Sequence, residues 1–231
     1  MKQAVAVKIV TICIGLSVVA VVGWLLYKQM NPPPPAPPQQ TIIPTVDRGL
    51  SEEDMAAQRQ KITELEVQIA QAPERDISLI LQLGNLHYGI GELAVAVENY
   101  DDILSTNPND APALENKGQA QLEMGDYIGA LESWQKALAV SPFEVTYLRV
   151  ANLIDEHFEG EEENVRLVLE NGITNLGQTP GLLKRLGQWY ESQGMYAEAI
   201  SHYKVALQLD PDDAWLKDQI EILKRKESEQ K

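Results

Sequence analysis

Counting back from Pro108, Pro142 and Pro211, the same residue types recur at the same distances. Four positions before each proline lies Leu104, Leu138 or Leu207, and eight before lies an aromatic, Tyr100, Trp134 or Tyr203. Twelve before is Ala96, Ala130 or Ala199, seventeen before is Gly91, Gly125 or Gly194, and twenty-four before is Gly84, Gly118 or Gly187. Pro108 and Pro142 are 34 residues apart, and Pro142 and Pro211 are 69 apart, which leaves room for a further unit with one extra residue. A period of this length marks one supersecondary unit used repeatedly, and such a unit cannot bury its apolar face alone. The chain must therefore stack its units side by side.

The stretches GELAVAVENYDDILSTNP, GDYIGALESWQKALAVSP and GMYAEAISHYKVALQLDP resemble the second-helix signature of the tetratricopeptide repeat family, over roughly Ile77 to Asp213. The resemblance implies an all-α fold, a right-handed superhelix of helix-turn-helix repeats, with about four of them in residues 74–213. The residue types fit that packing. Gly84, Gly118 and Gly187 stand where two helices cross closely, the aromatics fill wider gaps, and each proline ends a second helix. The third unit, about Val145 to Thr179, departs from the pattern: Asn152 replaces the close-contact glycine, and Val165, Leu169 and Gly172 match only after a one-residue slip. Residues 214–231, with Trp215, Leu216, Ile220 and Leu223 at helical spacing, are expected to close the array with a solvated face. Residues 51–72 are expected to form a helix capped by Ser51, with Met55, Ile62 and Ile69 seven apart. Gln58 interrupts that seam, so packing on the next element is the expectation and dimerisation the alternative.

Ahead of the repeats, Ile9 to Tyr27 holds nineteen residues without a formal charge. At ~1.5 Å per residue such a helix matches the ~30 Å hydrocarbon core of a bilayer. A single N-terminal transmembrane helix over residues 9–27 is expected, since bulky residues follow the apolar core and leave no small-residue cleavage site. Lys2 and Lys8 precede the span and Lys28 alone follows it until Arg48, which favours a cytoplasmic N-terminus of residues 1–8 and, in a bacterium, a periplasmic body. Cys13 follows Val10, Thr11 and Ile12 rather than small residues and reads as an inert lipid-facing or packing residue. Asn31 to Gln40 contains six prolines. The linker, residues 28–50, is expected to be a stiff polyproline spacer, and residues 31–50 extended at ~3.1 Å per residue would hold the body about 60 Å from the bilayer.

Of the net charge of −15, residues 47–231 carry −18, from 16 basic and 34 acidic side chains. A body this acidic repels phosphate backbones, so nucleic acid is not an expected partner. One cysteine in the whole chain excludes a disulfide framework and paired-cysteine zinc sites. Gly89 to Ala94 fits a loose dinucleotide fingerprint but joins two helices rather than a strand and a helix. His87, His157 and His202 lack partners at ligand spacing, and the acidic stretch Asp155 to Glu163 lacks calcium-loop spacing. No nucleophile elbow, phosphate loop or zinc-protease helix is present. The expectation is a chain with no enzymatic activity, cofactor or metal.

What remains is binding of protein or peptide ligands. The first helix of each unit is expected to line a concave face, with Gln82, Asn85 and Tyr88, then Glu115, Asn116 and Gln119, then Arg149, then Lys184, Gln188 and Glu191 as partner-facing side chains. Asn85 and Asn116 match places where chaperone-binding family members hold a peptide carboxylate, but Leu81, Thr146 and Val150 stand where the basic companions would be. The layout resembles membrane-anchored bacterial repeat proteins of envelope and cytochrome c complex assembly. The function expected is a membrane-anchored interaction scaffold that recruits protein partners to a membrane complex. The alternatives are a permanent structural subunit of a large membrane complex and a periplasmic chaperone-like factor for cytochrome c maturation.

Overall fold

The computed structural model describes residues 42–229. The expected membrane helix, residues 9–27, and most of the proline spacer lie outside the described residues. Among the described residues no helix is long and apolar enough to cross a membrane, and there is no strand.

Among the described residues ten helices follow one another: α1 (Glu52–Gln71), α2 (Ile77–Gly89), α3 (Leu93–Thr106), α4 (Ala111–Met124), α5 (Tyr127–Val140), α6 (Glu144–His157), α7 (Glu162–Leu176), α8 (Pro180–Ser192), α9 (Tyr196–Leu209) and α10 (Ala214–Glu229). Side-chain caps set several starts: Ser51, Asp76, Asp110, Asp126 and Thr179 each accept a hydrogen bond from a first-turn amide that has no partner within its own helix. Pro112 and Pro180 sit in first turns, where a missing amide hydrogen is harmless. Gly125 ends α4 at φ 80°, a left-handed conformation that allows the immediate turn into α5.

The helices pair as α2/α3, α4/α5, α6/α7 and α8/α9, each pair packing on the next, with α1 on α2 and α10 on α9. In three pairs the packing is a glycine against an aromatic. A Cβ on Gly84 would lie 2.7 Å from Tyr100 Cε1, and one on Gly118 would lie 2.5 Å from Trp134 Nε1; at Gly187 it would overlap the Tyr203 ring. Tyr100, Trp134 and Tyr203 are almost wholly buried, so none of these rings has room to retreat.

The third pair solves the same problem with the parts exchanged. Asn152, at the expected glycine position, is exposed, while the preceding Ala151 is fully buried. α6 has turned by one residue, and the large ring now belongs to the first helix: Tyr147 packs on Gly172 of α7, where a Cβ would stand 3.0 Å from the ring. Leu169 takes the buried position that an aromatic holds in the other units. The buried register of α6 is thus shifted by one residue, from Asn152 to Ala151, whereas the slip at Val165, Leu169 and Gly172 belongs to α7.

Three clusters of buried side chains run through the array. The first centres on Ile80, Tyr100 and Ile103, with Ile69 of α1 packed against it; the second on Trp134, Tyr147, Leu169 and Leu182; the third on Leu183, Tyr203, Leu216 and Leu223. Ile62 is the buried residue of α1, and Met55, Gln58, Leu65 and Ile69 are half-buried on the same stripe. The seven-residue seam is consumed within the chain. α10 buries Leu216, Ile220 and Leu223 and leaves its other face charged.

Residues 42–50, read from the sequence as the end of the spacer, are laid along the first two repeats. The Val46 amide donates to Gly91 O (2.9 Å), the Ala94 amide to Pro44 O (3.0 Å) and the Ile43 amide to Met124 O (2.9 Å). Any free, extended spacer must therefore end before residue 43.

Candidate partner-binding site

The ten side chains expected to face partners all lie on first helices: Gln82, Asn85 and Tyr88 on α2, Glu115, Asn116 and Gln119 on α4, Arg149 on α6, and Lys184, Gln188 and Glu191 on α8. Gln82 and Asn85 are exposed and the rest half-buried. Most of them are already engaged with the neighbouring repeat. Asn116 Nδ2 donates to Asn85 Oδ1 (2.8 Å), the oxygen that also accepts from the Tyr100 hydroxyl (2.8 Å). Glu115 accepts from the Thr146 hydroxyl and pairs with Arg149 (3.1 Å), whose guanidinium lies 5.8 Å from the Trp134 ring centroid. Lys184 pairs with Asp213 (2.8 Å) and stands 4.4 Å from the Trp215 ring centroid. Glu191 accepts from Gln219 (2.7 Å) and from the Tyr203 hydroxyl (3.2 Å).

Between α6 and α8 the rung uses residues the sequence did not single out for this face. Arg185 donates to Asn152 Oδ1 (2.7 Å) and pairs with Asp155 (2.7 Å). The rotation of α6 brings Asn152 to this surface. Half-exposed pairs of this kind add little to stability because water screens them. Their effect is geometric: each rung fixes one first helix against the next and holds its side chains in one conformer.

The electrostatics follow the rungs. The hydrogen bond from Lys184, then that from the Leu216 amide, holds the Asp213 carboxyl below its ordinary value. Burial raises the Tyr203 hydroxyl, and nearby Glu191 adds to the rise. Arg149 and Lys184, the two cations expected to meet a ligand, are both neutralised by the protein itself. The arrangement is poorly suited to catching a free carboxylate and well suited to amide and backbone hydrogen bonding through Gln82, Gln119 and Gln188.

One residue group was missed. Arg48 reaches the C-terminal ends of α2 and α4, pairs with Glu123 (2.7 Å), donates to Tyr88 O (3.2 Å) and lies 4.8 Å from the Tyr88 ring centroid. Glu123 also accepts from the Tyr88 hydroxyl and from Gln119 (3.1 Å). Burial pulls the Glu123 carboxyl upward, but the bonds from Tyr88, Gln119 and Arg48 outweigh it and leave the carboxyl below its ordinary value. Tyr88 is raised by burial and by Glu123. The only signal in the sequence was Arg48 itself, the lone basic residue between Lys28 and Arg59.

The histidines occupy separate settings. His87 bonds Glu92 (2.7 Å), His157 stacks on Tyr127 at 3.6 Å, and His202 stacks on Tyr190 at 5.1 Å. Among the described residues no three His, Cys, Asp or Glu side chains could together hold a metal ion.

Two tetratricopeptide repeat family models match the chain, one over residues 99–132 and one over residues 180–213. No curated protein matches it in sequence. Among solved structures, the chain is similar to MamA, at 20% identity and a TM-score of 0.58, covering 73% of this chain and 98% of that one. The C-terminal part of a repeat protein from Cytophaga hutchinsonii gives 14% identity and a TM-score of 0.63, covering 77% of this chain and 69% of that one. YrrB, described as having an unusual peptide-binding site, gives 18% identity and a TM-score of 0.54, covering 71% and 84%. At these identities the structural likeness speaks to the fold alone.

Proposed function

We propose, from the premise that the chain is a tetratricopeptide repeat protein, that the face formed by α2, α4, α6 and α8 docks protein or peptide partners and that residues 9–27 hold it at a membrane. The observation that carries the docking reading is the series of polar rungs joining successive first helices, Asn85 to Asn116, Glu115 to Arg149 and Asp155 to Arg185, with Lys184 to Asp213 tying α8 to the start of α10. A face fixed in this way loses little side-chain freedom when a partner arrives, so more of the contact energy is realised as affinity. The acidic body favours partners that are basic or neutral. Support for the anchor is the uncharged stretch Ile9 to Tyr27.

A photo-crosslinking residue at Gln82 or Gln188 should capture partners in intact cells, whereas the same residue at Ile128 or Leu167, exposed positions on second helices, should not. Capture from Ile128 and Leu167 alone would move the docking face to the second helices. Carbonate extraction separates anchoring from docking: an anchored chain stays with the bilayer, and a chain released by carbonate has no spanning helix.

A further inference from the structure

The contacts of Arg48 describe a receptor for a guanidinium group. Glu123 supplies the counter-charge at 2.7 Å, the Tyr88 carbonyl takes a second N–H at 3.2 Å, and the Tyr88 ring offers its face at 4.8 Å. Both bonds leave the same terminal nitrogen, Nη2, while the guanidinium carbon stands over the ring, an arrangement that a weakly hydrated, delocalised cation fills at a lower desolvation cost than an ammonium. The receptor does not depend on Arg48 for its shape, because the Tyr88 hydroxyl and Gln119 hold Glu123 from the protein's own side.

Beside this pocket the chain carrying the arginine is held through its backbone. Gly91 O and the Ala94 amide form bonds with Val46 and Pro44 that any extended peptide with suitably placed amides could make. On the receptor side only Gly91 is specified, since a Cβ there would overlap the Val46 carbonyl oxygen. The strap contributes little apolar burial: Ile42 and Ile43 are 54% and 49% exposed. A segment held by a few directional bonds and one buried-edge ion pair opens at low cost.

We propose that the pocket of Tyr88, Gln119 and Glu123 is a binding site for an arginine in an extended segment of a partner protein, and that Arg48 occupies it in cis as a displaceable competitor. This deepens the docking reading and rests on it. The tether places Arg48 at an effective concentration on the order of millimolar, so a partner must exceed that competition before it binds. Partner entry and strap release are then one equilibrium, and binding at the first two repeats frees residues 42–50 to extend.

The test uses the full chain in mild detergent and a fluorescein-labelled peptide of sequence TIIPTVDRGL, identical to residues 41–50, followed by anisotropy. The Arg48→Ala chain, which lacks the cis competitor, should bind the peptide at least about tenfold more tightly than the unaltered chain. A peptide with lysine in place of its arginine should bind the Arg48→Ala chain at least about tenfold more weakly. Equal affinity for the two chains, equal affinity of the two peptides, or no binding to either chain overturns the proposal. Because no natural partner enters this assay, a failure here leaves the crosslinking result standing, and a failure of crosslinking at Gln82 and Gln188 leaves the pocket's chemistry intact.

Discussion

Gly118 and Gly89 lie on the first helices of adjacent repeats yet answer to different demands. A Cβ at Gly118 meets the buried Trp134 ring, whereas at Gly89, in the last turn of α2, it meets nothing within 4 Å. Gly118→Ala should cost about 1–3 kcal/mol in urea unfolding, as overpacking of a closed core does. Gly89→Ala should be neutral or stabilising by up to about 1 kcal/mol, from helix propensity alone. Asn152 gives a third case. Had α6 kept the register of the other first helices, Asn152→Gly would relieve a crowded crossing; since Asn152 is exposed and accepts from Arg185, the same change should destabilise by roughly 0.5–1 kcal/mol. The glycine and aromatic spacing made three crossings legible from residue types. The fourth was not, because Tyr147 and Gly172 satisfy the same steric rule on opposite helices, and a positional pattern cannot register an exchange of that kind.

At the scale of elements, the strap and α1 converge on the turn between α2 and α3. Val46 bonds Gly91, and Arg59 of α1 pairs with Glu92 (2.9 Å), which also bonds His87. The carboxyls involved, Glu92 and Glu123, both sit below their ordinary value of 4.5: burial opposes this, while His87 and Arg59 on the one and Tyr88, Gln119 and Arg48 on the other prevail. A carboxyl held lower in the folded state stabilises it above the ordinary value and loses that contribution as pH falls through the lowered one. The amide signal of Val46 should therefore hold its position above the ordinary carboxyl value of 4.5 and move toward the unstructured value as pH falls below it and the two carboxyls protonate, while Trp134 in the second core stays packed. Periodicity assigned the ten residues expected to face partners to first helices, and the structure has them there. Their mutual pairing was hidden, because Asn85 to Asn116 and Glu115 to Arg149 join residues 31 and 34 apart, and whether such neighbours touch depends on the angle between repeats.

For the whole array, stability is shared between neighbours rather than lodged in one core. α10 covers Leu183 and Tyr203 with Leu216, Ile220 and Leu223. Replacing both Leu216 and Leu223 by alanine should remove several kcal/mol from the last repeat, at roughly 2–5 kcal/mol for each buried leucine. Hydrogen exchange should then show α8 to α10 opening before α2 to α5, which distinguishes a stacked array from a single cooperative core. The all-helical pairing could be read from the sequence because it follows from the period. The strap could not: its hold on the array is made of backbone bonds at Gly91, Ala94 and Met124, which leave no mark in side-chain pattern. The most direct measurement of the account is hydrogen exchange of the full chain with and without a crosslink-identified partner. New protection should fall on α2, α4, α6 and α8, with the amides of residues 43–48 becoming less protected; protection confined to α3, α5, α7 and α9 would contradict it.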